Sequence, residues 1–193
     1  MQPDKPRPIF IGGIHGVGKS TTCSKVSDEL NIPHLTASDL IRQYKKEASI
    51  QDADQEKRVV DIPANQDILI TALHNSVIAA DTYILDGHFT LIDSLGAVKP
   101  VPISVFEEMN PKALFIITEK PELIQSRLLL RDEKDYCSKE LRTMQDAEIE
   151  QAQKIAKGID VPLYQISFAS VTKMSETIGK FIKNLMNHKP NTI

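Results

Sequence analysis

Gly13-Ile14-His15-Gly16-Val17-Gly18-Lys19-Ser20 fits the pattern G-x-x-x-x-G-K-[ST] at every fixed position. Four of the chain's eight glycines stand at 12, 13, 16 and 18, where the backbone must bend sharply and turn its N–H groups to one side. The flanks suit the bend. An apolar strand is predicted over residues 8–12 and a helix over 19–30. A bend of this kind presents peptide N–H groups and a helix N-terminus, both partially positive, to a polyphosphate. The expected ligand is ATP with Mg²⁺, cradled by Gly13, Ile14, His15, Gly16, Val17, Gly18, Lys19, Ser20 and Thr21. Lys19 is placed to reach the β- and γ-phosphates, the Ser20 hydroxyl to complete a Mg²⁺ shell, and Thr21 to add an α-phosphate contact. His15 contributes its backbone whatever its ring does; a direct side-chain role is the alternative.

Outward from the bend, short apolar runs alternate with helical ones. Strands are expected over 33–36, 82–85, 113–118 and 162–166. Helices are expected over 38–46 (capped by Ser38 or Asp39), 64–80, 104–109, 138–157 and 172–186, with a further helix opening near Pro121. Residues 89–101 read as a hairpin or loop, and the polar stretch 43–61 as a solvated edge or a flap over a substrate. Residues 1–7 read as a leader, 8–187 as one domain with a short lid near 131–145, and 188–193 as a tail. Fully apolar strands alternating with helices imply α/β architecture: a parallel sheet, here of five strands, between two helical layers. Such sheets bind ligands beyond the carboxyl ends of their strands, which gathers Gly12-Gly13, Asp86 and Thr118.

Size and composition narrow the classes. At 193 residues the chain is about one domain by the usual measure of roughly 150, able to bury about 70% of its unfolded surface without staples. A net charge of −3 argues against coating nucleic acid or an anionic membrane. Two cysteines without a CxxC pair give neither a zinc pattern nor a disulfide framework. No apolar run approaches 18 residues, so a cytoplasmic protein without a membrane span is expected.

Beyond the bend, Asp86 closes an apolar strand, a position suited to a Mg²⁺-water or acceptor contact; a turn or cap role is the alternative. His88 touches the acceptor or packs. Arg127 and Arg131 share a helix face, where they would neutralise charge on a transferring phosphoryl group, unless Asp132 and Glu133 pair with them. Asp39, Arg42 and Arg58 together would hold an acidic acceptor such as a monophosphate.

These residues give the chain a resemblance, over about residues 8–181, to the P-loop small-molecule kinases, and most of all to archaeal-type adenylate kinases and related bacterial ATP-binding proteins. Ser38-Asp-Leu-Ile-Arg42 resembles the segment that opens the family's monophosphate site, with an arginine on the acceptor phosphate. Asp86-Gly-His88 resembles an Asp-x-His element, and Asn110-Pro-Lys112 an Asn-Pro-Asp approach to the next strand. Arg127 and Arg131 match two arginines near the base and phosphates, and Arg58 falls near another acceptor-side arginine. The lid stretch Arg131-Asp-Glu-Lys134 carries fewer arginines than the family's, Ile155 stands near an Asn-Arg pair, and Ala37 replaces a hydroxyl residue at the acceptor base. The resemblance implies transfer of the ATP γ-phosphoryl group to a small acceptor, a nucleoside monophosphate above all. An ATPase-type switch acting on a protein partner is the alternative, and a nucleic-acid kinase fits poorly with the acidic balance.

Overall fold

The computed structural model describes residues 6–49, 58–59, 61–76, 78, 80–132, 136–168 and 170–187. Five strands form one parallel sheet: β1 (Arg7–Gly12), β2 (His34–Thr36), β4 (Thr82–Asp86), β7 (Ala113–Thr118) and β8 (Leu163–Ser167), in the order β2-β4-β1-β7-β8. β1 lies at the centre. Its register against β4 sets Ile11 beside Asp86, and its register against β7 sets Gly12 beside Ile116. The chain leaves β1 through α1 (Lys19–Leu30) toward β2 on one edge, whereas β7 and β8 build the other. The bend after β1 therefore emerges at the point where strand order diverges, the usual ligand crevice of an open α/β sheet.

Alternation along β1 fills two helical layers. Ile9 and Ile11 face one side with Ile84, Phe115 and Ile117, packing on Val26 of α1, on Ile124 and Leu128 of α5 (Pro121–Asp132), and on Met174, Ile178 and Ile182 of α7 (Val171–Asn187). Phe10 faces the other with Leu85, Leu114 and Ile116. It meets Leu69 and Ile70 of α3 (Ile62–Asn75), Phe106 of α4 (Ile103–Met109), and Ala152 and Ile155 of α6 (Ser138–Gly158). Phe10 sets its ring edge to Phe89 and Phe106, with centroids 5.0 and 4.9 Å away, favourable aromatic geometry beyond simple burial. The expected three-layer α/β fold with a five-stranded parallel sheet is what forms.

Of the two expectations for residues 89–101, the hairpin is what forms: β5 (Thr90–Asp93) with antiparallel β6 (Val98–Pro100), and the two-residue β3 (Arg58–Val59) joins β5 in parallel. Several boundaries differ from expectation. Helix α2 (Ala37–Glu47) is capped by neither Ser38 nor Asp39. Thr36, the last residue of β2, holds the extended cap position, and Asp39 pairs with Arg42 instead. Helix α3 stops at Asn75 rather than at 80, because Ser76 turns extended. Ile78 still packs against the same core, so apolar spacing runs on past the break and hides it from the sequence. At its start, Asp61 caps α3 by accepting from the Ala64 N–H. Residues 50–57 and 60 of the polar stretch 43–61, three residues of the lid (133–135), the tail 188–193 and the leader up to residue 5 lie outside the described residues.

Candidate functional site

The glycines after β1 are there because nothing larger fits. Gly13, Gly16 and Gly18 have φ of +143°, +80° and +99°. A Cβ on Gly13 would stand 2.6 Å from the Ile117 carbonyl oxygen, and one on Gly16 2.7 Å from Leu128 of α5. The loop is thus clamped between the end of β7 and helix α5. Helix α1 begins on left-handed Gly18 with no side chain capping it and no acidic residue in its first turn, so its leading N–H groups and its positive dipole end face outward.

Lys19 is 7% exposed and folds back over the loop, donating from Nζ to the carbonyls of Gly13 (2.8 Å) and Ile14 (3.4 Å). Burial holds its pKa below the ordinary lysine value and the nearby Arg131 charge adds to this, against the opposing pull of Asp86 and Glu148. Ser20 Oγ donates to Asp86 Oδ2 at 2.5 Å. Asp86 is buried, which by itself raises its pKa. The His34 ring, the Lys19 charge and the Ser20 hydroxyl outweigh that, so its carboxyl is held below the usual aspartate value. A hydroxyl and a charged carboxylate side by side form a hard-oxygen pair that fits Mg²⁺, which takes one or two such ligands alongside waters and phosphate oxygens.

His88 follows in the same turn. Its ring lies 4.3 Å from that of His15, and Nδ1 is 3.6 Å from Glu148 Oε1. Glu148, on α6, was not singled out by the sequence. It is 1% exposed and accepts from the Phe89 N–H (3.1 Å), the Thr90 N–H (2.8 Å) and the Thr90 hydroxyl (3.0 Å), so it anchors the segment that follows Asp86. A signal for it exists: it falls on the buried stripe of Leu141, Ala152 and Ile155, an acid where the helix period calls for an apolar residue.

Burial, helped by the Lys19 charge, pushes the His88 pKa below 6.5 despite the facing Glu148 carboxylate. The folded chain then binds this proton less readily than the unfolded chain. The resulting stability is fully present above pH 6.5 and lost as pH falls through the folded pKa. Replacing His88 with Asn is expected to flatten the wild-type decline in stability just below pH 6.5, measured by urea unfolding across pH 5 to 7.

Arg127 is half-buried beside the loop. It lies 4.4 Å over the Phe168 ring, which abuts Gly18, and its Nη2 bonds Glu119 at 3.1 Å; Nη1 is buried without a hydrogen-bond partner among the described residues. A carboxylate partner thus precedes the helix; Glu133 and the side chain of Asp132, the partners that the sequence offered, lie outside the described residues. Long helical side chains lean toward the N-terminus, and Glu119 is there. Glu119 is fixed in turn by Gln145, which exchanges two backbone bonds with it. Arg131 is exposed at the end of α5. Asp39 and Arg42 pair with each other at 2.7 Å on the exposed face of α2, and Arg58 lies in β3, with its side chain outside the described residues. Gly13–Thr21, Asp86, His88 and Arg127 are thus gathered at one end of the sheet, whereas Asp39 and Arg42 stand on α2, the helix that follows β2.

The fold also brings together a set that the cysteine spacing did not suggest. Cys23, His34 and Asp86 place their ligand atoms within 4.8 Å of one another. Among the described residues, no helix is long and apolar enough to cross a membrane.

Residues 12–146 match the AAA domain family. Uridylate kinase of Saccharomyces cerevisiae is 28% identical over 67% of this chain, which spans just under two thirds (64%) of that relative. Adenylate kinase of Methanopyrus kandleri is 24% identical over 93% of this chain and 88% of its own length. Adenylate kinase of Thermoplasma acidophilum is 30% identical over 61% of this chain and 63% of its own. Among solved structures, a gluconokinase from Sinorhizobium meliloti 1021 shares the fold with a TM-score of 0.55 at 13% identity, covering 96% of this chain and 98% of that one. With the glycine-rich loop, the five-stranded sheet and these matches in hand, the chain belongs to the AAA domain family and is a P-loop protein whose relatives in sequence and fold are small-molecule kinases.

Proposed function

We propose that this protein is an ATP-dependent phosphotransferase that moves the γ-phosphoryl group to a small acceptor, a nucleoside monophosphate in the reading we favour. The observation that carries it is the meeting of a glycine-bound loop, a buried lysine and the Ser20–Asp86 pair at one sheet end. In this reading the Gly13–Thr21 backbone and the α1 N-terminus bind the phosphates, and Lys19 exchanges its loop carbonyls for phosphate oxygens. Ser20 and Asp86 would hold Mg²⁺, which supplies neutralisation of the charge shared by the β- and γ-phosphates. Arg127 and Arg131 would stabilise charge on the transferring group, while Arg42, Asp39, Arg58 and His88 would bind the acceptor.

The charge state of Asp86 is in keeping with that acceptor class. A carboxyl held below its ordinary pKa keeps its charge and is a weak proton acceptor at neutral pH. An acceptor whose oxygen is already anionic, as in a monophosphate, needs no base there. One observation favours the switch reading: Leu123 and Leu130, two turns apart on one face of α5, are 46% and 87% exposed, an apolar pair suited to cover by a protein partner.

The two readings separate in a coupled assay of ADP formation from Mg·ATP against a panel of monophosphates, nucleosides and sugars. The expected result is turnover that depends on a nucleoside monophosphate. The same slow rate with every acceptor and with none overturns the transferase reading.

A further inference from the structure

We propose that Cys23, His34 and Asp86 form a binding site for a borderline divalent cation of the Zn²⁺ class, occupied in place of magnesium nucleotide. The three ligand atoms come from α1, β2 and β4, and all lie within 4.8 Å of one another. A thiol, an imidazole and a carboxylate make a donor set that selects Zn²⁺ or its neighbours over Mg²⁺, which takes oxygen. Tetrahedral Zn²⁺ with bonds of about 2.0–2.3 Å holds its ligand atoms roughly 3.3–3.8 Å apart, so side-chain shifts of about 1 Å close the site.

The histidine carries a second, independent observation. His34 Nε2 is buried, has no hydrogen-bond partner among the described residues, and stands 3.8 Å from Asp86 Oδ2. Its other nitrogen, Nδ1, lies 3.4 Å from Ser24 Oγ. A ring anchored through Nδ1 presents Nε2 to a cation, the usual outer contact of a metal-bound histidine. Cys23 is fully buried and sits three residues after Ser20 on α1, hence on the same helix face. Ion binding would form the sulfur–metal bond and release the thiol proton to solvent, with no change of oxidation state. Three protein ligands leave a fourth position for water.

The exclusion of nucleotide rests on the function proposed above, because both cations would draw on Asp86. The binding itself does not. Apo protein titrated with Co²⁺ is expected to gain a thiolate-to-cobalt charge-transfer band that saturates at one ion per chain and is bleached by Zn²⁺. Cys137→Ser, which alters the exposed cysteine, should keep the band. Cys23→Ser should lose it, and so should His34→Gln, which spares the buried thiol position and guards against a folding defect. Ser24→Ala should keep the band while weakening Zn²⁺ affinity roughly 10–100-fold. A wild-type protein without the band, or a band that survives in Cys23→Ser, overturns the site. Simultaneous binding of Zn²⁺ and Mg·ATP overturns the exclusion, and that result is separate from a failure of the transferase assay.

Discussion

Replacing Lys19 with methionine is expected to lower ATP turnover by at least about 10²–10³-fold while leaving the apo protein as stable as wild type or more so. The activity side follows from electrostatics. A donor aimed at developing phosphate charge in a water-poor site is worth roughly that factor, and Lys19 is the buried cation of the loop. Methionine keeps the apolar stem and removes the charge. The stability side follows from burial, which dominates the lysine's environment and holds its pKa below 10.5. Between the folded pKa and 10.5 the unfolded chain binds more proton than the folded one, so wild-type stability rises with pH through that window. Methionine has no proton to bind, and the rise should vanish. Coupled ADP formation measures the first effect, and urea unfolding at pH 7 and pH 9.5 the second. A variant that unfolds more readily at both pH values would mean that the two carbonyl bonds outweigh the cost of burying the ammonium.

What could be read beforehand was whatever local chemistry dictates. The glycine spacing around Lys19 is legible because positive φ and close approach leave no other residue for Gly13 and Gly16. The central strands are legible because strands covered on both faces must be apolar throughout, as Ala113–Thr118 is. The misread elements are those where tertiary contact decides. Ile78 keeps the apolar period after helix α3 has ended, and Thr36 takes the cap position because β2 runs straight into α2. Glu148 is hidden among the exposed acids of α6, and its three donors lie on the segment following β4, far off in sequence. Cys23, His34 and Asp86 belong to three elements, and only parallel pairing of β2 with β4 and the packing of α1 bring them together. Spacing rules for metal ligands assume neighbours along the chain, so they pass over such a set. Asp39 and Arg42, expected on the acceptor side, stand three residues apart on α2 and pair with each other there.

Glu148→Ala is expected to cost about 3–5 kcal/mol of folding stability at pH 7, the range for removing one partner from a buried charged network. The carboxylate accepts from two backbone N–H groups and a hydroxyl at 2.8–3.1 Å, and alanine leaves all three donors in a space that water does not reach. Glu148→Gln should lose less, since its amide oxygen can still accept while its NH₂ faces the donors it cannot serve. The pH dependence carries the sign. Burial raises the Glu148 pKa, but His88 and the Phe89 and Thr90 amides outweigh it, leaving the group below 4.5. Its contribution is therefore full above pH 4.5 and is lost as pH falls through the folded value. Urea unfolding of wild type and Glu148→Ala should differ most near neutrality and converge toward pH 3; a gap that stays constant would show that packing, not charge, holds this position. The loss should also reach the active end of the sheet. Phe89 and Thr90 follow Asp86 by three and four residues, so freeing them loosens the turn that keeps Asp86 against Ser20. Turnover in the folded fraction of Glu148→Ala should fall with it, and Glu148→Gln, which keeps part of the anchor, should recover part of the rate.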